Sequence, residues 1–288
     1  GVAVTAALGI VAITVVAILS ITNRVVERQV ERQLEAAVED LSPGAALTFG
    51  QVQVQAARSR LIIQDVVFSP SEGAPTLEAE SLLLSVPVDQ VFATARDSDS
   101  DSAIENAEVV ARGLEFRSVT EGWRVSATSA RIEADGHLKP SLLESSPAAV
   151  LDALTSADLV AENVIIEVSS SAADALRSAV DIAELLPLEE SLNVDSVQAV
   201  LTRANGRFDL FPMTVESGLA TGSGQLQVEL GESGNVRSAA GSFTVTDARP
   251  DIRALTHQRY SIPEGAPFTV SFVTNDGTLP IIELVPGR

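Results

Sequence analysis

Catalytic chemistry in this chain would depend on very few side chains. The 288 residues include two histidines, His137 and His257, and no cysteine. The histidines are far apart in the sequence, and a Ser/His/Asp site around His257 and Asp247 rests only on the abundance of Ser and Asp. The G-x-S-x-G, Walker A and G-x-G-x-x-G patterns are all missing from the sequence. We therefore expect a protein that is not an enzyme and needs no cofactor.

The acidic run at 97–102 is the one candidate for a metal site. Its residues match positions 1, 3, 5, 8 and 12 of a calcium-binding loop with Asp97, Asp99, Asp101, Ile104 and Glu108. The match is partial, because Ser102 stands where the sharp turn needs glycine, and the residues that follow favour a strand at least as much as a helix. A solvated acidic loop is the preferred interpretation and calcium the alternative, so no metal site is predicted.

Overall charge excludes one class of partner. The chain carries 39 acidic and 19 basic residues, a net charge of -20, which repels phosphate backbones and argues against nucleic acid. Hydrophobic residues make up 45% of the chain, enough for a sizeable core. The absence of cysteine excludes disulfide bonds and thiolate metal sites.

The N-terminal region predicts a membrane anchor followed by an amphipathic helix. Residues 2–21 carry no charge, and a helix of this length spans roughly 30 Å, the thickness of the hydrocarbon layer of a bilayer. We expect a transmembrane anchor over 1–21, with a signal peptide as the alternative. Apolar residues then recur at helical spacing in 22–42, up to the stop at Ser42-Pro43-Gly44. This second helix caps a sheet or, alternatively, forms a short coiled coil.

Beyond residue 43 the apolar residues alternate with polar ones, which predicts strands. We divide this part into a first β section (43–138), a helix-interrupted connector (139–190) and a second β section (191–288). Helices are predicted at 87–96, from about Pro147 and at 172–186, with one helical turn around 249–257. The expected fold is mainly β, an elongated and curled antiparallel-type sheet with a few short helices.

Glycine and proline mark the predicted irregularities of the sheet. Gly50 predicts a bulge within the first strands. Two or three strands are predicted over 104–138, in the segments AEVVARGLEF, GWRVSATS and ARIEADGHL. The glycine-rich run from Gly218 to Gly224 is interpreted as a turn, and the strand before it is expected to end at Pro212.

The order of these features resembles the AsmA-like family of bacterial inner-membrane proteins, which includes the bridge-like members related to TamB. The N-terminal likeness consists of VERQLEAAVED, LTFGQVQV, LIIQDVVF, LEAESLLLSV, PVDQVF and IENAEVVARGLEF. The C-terminal module is matched by 194–230. The resemblance implies a single-pass protein of the bacterial inner membrane with most of its chain in the periplasm. It also implies a sheet that curls into an apolar groove and moves phospholipid or maintains the outer membrane.

Partners and binding residues follow from that resemblance and from the apolar strand centres. Phospholipid is the expected ligand, other envelope membrane proteins are expected partners, and a homo- or hetero-oligomer is possible. The predicted lipid-contacting residues are Leu61, Ile63, Leu82, Leu84, Leu114, Phe116, Ile166, Val168, Leu226, Val228, Leu230, Phe243, Val245, Val270 and Phe272. Alternating apolar residues form a dry core in most β proteins, so the alternative is a structural or assembly subunit whose sheet packs against its neighbours.

Overall fold

A computed structural model describes ten stretches of the chain. They are 46–55, 58–69, 76–85, 102–118, 122–138, 154–179, 191–204, 207–230, 236–275 and 281–287. The predicted anchor, the helix at 22–42, the helices at 87–96 and from Pro147, and most of the acidic run lie outside these stretches. Within them, none of the helices is both long enough and apolar enough to cross a membrane.

The described residues are mainly strand, as predicted, and form one open antiparallel sheet of thirteen strands. The strands are β1 (Ala46–Thr48), β2 (Gln51–Gln55), β3 (Arg60–Ser69), β4 (Thr76–Ser85), β5 (Ser102–Ser118), β6 (Trp123–Leu138), β7 (Leu154–Val168), β8 (Leu192–Ala204), β9 (Arg207–Ser217), β10 (Ala220–Leu230), β11 (Val236–Ala248), β12 (Phe268–Asn275) and β13 (Ile281–Pro286). From β3 onward each strand pairs with the next in the chain, while β1 and β2 both pair with β3. The sheet therefore runs without interruption through both β sections and the connector.

Gly50, where a bulge is predicted, lies instead at a break between β1 and β2, and the register to β3 is the same on both sides of it. The two strands pair with opposite ends of β3, and the Gly50 amide donates a hydrogen bond to the carbonyl of Gln64, with an N–O distance of 2.8 Å. A Cβ atom on Gly50 would lie 2.6 Å from Oδ2 of Asp65. A larger residue at position 50 would therefore have to displace the Asp65 side chain.

Several long strands change the phase of their alternation partway along. In β3 the buried positions shift from odd to even numbers at Asp65, which has a φ of 53°. Gly113 in β5 and Asn163 in β7 have similar positive φ values of 58° and 50°. A residue in this conformation breaks the two-residue repeat, so the same face is recovered one position later. Of the two or three strands expected over 104–138, the structure has two, because 122–129 and 130–138 belong to the single strand β6. The partners of β6 on β5 show that its apolar face passes from odd to even positions partway along.

Two other predicted boundaries are also corrected. The run from Gly218 to Gly224 is a turn only at 218–219, because Gly222 and Gly224 lie inside β10. β9 continues past Pro212 to Ser217 instead of ending there. Local composition is misleading in both places because cross-strand pairing on both sides holds the backbone extended.

Two helices occur in the described stretches, α1 (Ser170–Ala179) and α2 (Pro250–Tyr260). The first starts two residues earlier than the helix predicted at 172–186. The second is three turns long instead of one, and it begins with Pro250 at the position where proline stabilises a helix start. Ser261 ends it in the left-handed conformation, with its amide bonded to the carbonyl of His257.

Candidate functional site

The strand register creates a continuous apolar face across the sheet. Residues directly opposite one another in an antiparallel pair project to the same side, so a chain of such partners marks one face. The first such row is Val52, Ile63, Leu82, Ala111, Ala130, Ala161, Val197, Val215, Gly222, Val245, Phe268 and Pro286. The second row is Val54, Leu61, Leu84, Val109, Ile132, Leu159, Ala199, Met213, Gly224, Phe243, Val270 and Leu284. Neither row contains a polar side chain, from β2 to β13.

A third row lies beside the second one, away from the first. It runs from β5 to β13 and contains Ala107, Ala134, Ala157, Leu201, Leu210, Leu226, Gly241, Phe272 and Ile282. Phe208, Val228 and Ala239 extend the apolar surface further in the same direction over β9 to β11. The apolar face is therefore at least three residues wide over most of the sheet.

The residues predicted to contact lipid lie together on this face. Six are in the second row (Leu61, Leu84, Phe243 and Val270) or the third (Leu226 and Phe272). The first row holds Ile63, Leu82 and Val245, and Val228 lies beyond Leu226. Leu114, Phe116, Ile166 and Val168 are on the same face toward the opposite strand ends. Leu230 pairs with Val236 in the register, and its side chain lies outside the described part.

Burial differs strongly along the face. At the β3–β4 end, Leu61, Ile63, Leu82 and Leu84 are between 0% and 1% exposed and belong to a cluster drawn from β2 to β6. These four side chains are core residues with almost no exposed surface. Leu114 and Phe116 are half-buried against the same cluster.

The middle of the face is more accessible. Ile132, Leu159 and Met213 in the second row are half-buried, as are Leu210 and Leu226 in the third. Small residues such as Ala157 and Ala199 are buried between them. Large apolar side chains that keep some solvent exposure on a sheet face are what a ligand with hydrocarbon chains would cover.

Helix α2 covers part of the far end. Ile252 on α2 and Ile262 just beyond it are 6% and 1% exposed and pack in one cluster with Val245 and Phe268. Phe243, Val270 and Leu284 of the second row are half-buried against this cluster. Helix α1 makes a smaller contact, in which Ala173 packs against Val168 and Leu192.

Phenyl rings lie over glycines in the region next to α2. A Cβ atom on Gly224 would be 2.9 Å from Cδ2 of Phe243, and one on Gly241 would be 2.8 Å from Cε1 of Phe272. Each ring therefore occupies the space that a side chain on the neighbouring strand would need. Gly222 also makes room for the ring of Phe243, because a Cβ atom on Gly222 would be 2.7 Å from Cε1 of that ring. The result is a flat apolar surface in which the phenyl rings lie across the neighbouring strands.

The opposite face carries a ladder of ion pairs, with apolar residues such as Val110 and Val160 between them. Arg124 contacts Glu115 at 2.6 Å and Glu167 at 3.1 Å, and Arg131 contacts Glu108 at 2.7 Å and Glu133 at 2.9 Å. The hydrogen bond that Arg124 donates to Glu115 raises the pKa of Arg124. Such exposed pairs contribute about 0–1 kcal/mol each, so the ladder defines the wet side of the sheet more than it stabilises it.

A cleft of about 370 Å³ lies on this polar face between β6 and β9. Its walls include Arg131, Glu133, Asp158, Gln198 and Thr214. Arg131, the cation of that wall, is neutralised by its two carboxylate partners. Glu133 and Asp158 leave the wall with acidic side chains, so the cleft does not favour an anionic ligand.

The residues considered for chemistry are engaged elsewhere or lie apart. His257 donates from Nδ1 to the carbonyl of Ile262 at 2.9 Å, and the Asp247 carboxylate accepts a hydrogen bond from Arg253. These two side chains thus do not form a hydrogen-bonded pair. Glu108, the last position of the calcium pattern, bonds Arg131 and Ser85 inside β5, where a calcium-binding helix–loop–helix would need a helix. No group of three potential metal ligands occurs in the described stretches.

No protein-family model matches the chain, and no curated protein matches it.

The sequence did not reveal which strand centres share a row. The alternation identified the apolar residues, but the register across strands depends on phase changes that local patterns do not locate. The flat rings over Gly224 and Gly241 were also missed. The spacing of small residues in that stretch was their only signal in the sequence.

Proposed function

We propose that this protein binds phospholipid by its acyl chains along the apolar face and handles or transfers it within the bacterial envelope. The observation that carries the proposal is the pair of rows from β2 to β13 without a polar side chain. The resemblance to AsmA-like proteins supports the same function, together with an inner-membrane anchor at 1–21, a periplasmic sheet and its curling into a groove. Other envelope proteins are the proposed partners.

The energetics of this binding need no specific polar contact. Burial of an acyl chain contributes about 0.8 kcal/mol for each CH₂ group. Twelve strand positions are separated by eleven spacings of about 4.8 Å, which makes a face roughly 53 Å long. Such a face can hold acyl chains along its rows, and a longer route would require a partner or a second copy.

Bound lipid tests the proposal through a pair of neighbouring variants. Leu226→Asp places a charge on the apolar face, whereas Gln227→Asp places the same charge on the polar face of the same strand. A buried carboxylate next to hydrocarbon costs several kcal/mol, so we expect about tenfold or more loss of phospholipid that copurifies with L226D. Mass spectrometry of extracted lipid should show no such loss for Q227D. Equal lipid content in both variants would refute the proposal.

A second function, that of a structural or assembly subunit, is favoured by the buried end of the face. Leu61 and Leu82 are fully buried, and α2 covers part of the opposite end. If the sheet serves only as a scaffold, purified protein contains no stoichiometric phospholipid, and protein neighbours are recovered from the envelope instead.

A further inference from the structure

We infer that the lipid lies in one lane of the apolar face, along the third row from β8 to β12, and not under the helices. This open lane is defined by Leu201, Leu210, Leu226, Gly241 and Phe272, with the half-buried Val228 beside it. Phe208, the partner of Val228, is 7% exposed and closes that side. The inference rests on the proposed function and assigns the position of the acyl chain within that site.

Both described helices lie in connections at the same end of the strands. Helix α1 connects β7 to β8, and α2 connects β11 to β12. In an antiparallel meander every second connection lies at the same end of the strands, so these two connections are on one side of the sheet. The third row lies nearer the opposite strand ends, where β8 connects to β9 and β10 connects to β11.

The contacts of the helices end before the third row. The cluster of α2 takes in Val245 and Phe268 from the first row, and Phe243 and Val270 from the second. Neither Leu226 nor Phe272 belongs to the described clusters of α1 or α2, although both are apolar and half-buried. Each helix thus covers apolar residues on the side of the face away from the third row.

The surface of the lane is flat at Gly241 and Phe272. Gly241 has no side chain, and the ring of Phe272 lies over it. A Cβ atom built on Gly241 would be 2.8 Å from Cε1 of that ring. Leu226 pairs with Gly241 in the register, so the lane passes from an aliphatic side chain onto a flat ring. An acyl chain can follow such a path without meeting α2.

Single cysteines test the lane, because the chain has none of its own. In the full chain, Leu226→Cys and Val228→Cys report on the lane, and Val245→Cys and Val270→Cys report on the surface under α2. Each variant is labelled with bimane and mixed with phosphatidylcholine vesicles whose acyl chains carry bromine, a short-range quencher. We expect quenching at L226C and V228C, and none above the level with unbrominated vesicles at V245C and V270C.

The outcomes separate the lane from the proposed function. Equal quenching at all four positions would overturn the lane while leaving lipid binding intact. Quenching at the two α2 positions alone would also overturn it. No quenching at any position would contradict lipid binding itself. The two variants in each region guard against a single label that disturbs folding.

Discussion

At the scale of single residues, Gly113 shows how the phase of a strand is fixed. It has a φ of 58°, and a Cβ atom there would lie 2.4 Å from Cγ of Glu80 on β4. We expect Gly113→Ala to lower the free energy of unfolding by about 1–3 kcal/mol, because both the backbone and the neighbouring side chain must move. Gly218→Ala is the control, since no atom lies within 4 Å of its virtual Cβ. Chemical denaturation measures both, and equal stabilities would contradict this role of Gly113.

Leu82 tests the buried end of the apolar face at the same scale. Its side chain is fully buried in the cluster of β2 to β6. We expect Leu82→Ala to cost about 2–5 kcal/mol of unfolding free energy, through lost burial and the cavity left behind. Val285→Ala, at a position 45% exposed, should change it far less. If Leu82→Ala is as mild as Val285→Ala in urea denaturation, that end of the face is not a packed core.

At the scale of elements, ion pairs attach α2 to the end of β11. Hydrogen bonding from Arg253 holds the pKa of Asp247 below its ordinary value, and Arg249 does the same to the pKa of Asp251. A carboxylate with a depressed pKa in the folded state stabilises that state above its unfolded pKa of about 3.9. This stabilisation is lost as the pH falls through the lower, folded pKa. Acid should therefore loosen α2 below about pH 4.

The single tyrosine provides the measurement for this element. Tyr260 lies at the end of α2 and packs against its cluster, so its ring signals in NMR spectra report on docking of the helix. We expect these signals to change below about pH 4 in the native chain and to change much less in the Asp247→Asn, Asp251→Asn double variant. An unchanged acid response in the double variant would show that other groups control the docking.

Which elements could be predicted depended on how local their signals are. The alternation of LIIQDVVF and LEAESLLLSV predicts β3 and β4, because side chains on a strand repeat every two residues. The phase change inside β6 and the extended conformation of Gly222 are set by neighbouring strands, which a local pattern does not contain. The same limit applies to the candidate site: its apolar members were predicted, but their rows and the cover provided by α2 required the register.

At the scale of the whole molecule, the antiparallel order gives two faces with opposite chemistry. One face carries apolar rows across every strand position from β2 to β13, and the other carries the Arg and Glu pairs of β4 to β7. A sheet with one solvated face normally packs its apolar face on a core. Here that face is deeply buried near β3 and half-buried in the middle, which is the region we assign to lipid.

Photo-crosslinking in the native envelope tests this assignment most directly. A photoreactive amino acid at Val228 samples the apolar face, and one at Gln227 samples the polar face one residue away on β10. The proposed function predicts phospholipid adducts from Val228 and none from Gln227, identified by mass spectrometry of the isolated protein. Efficient protein adducts from Val228 without any phospholipid would contradict it.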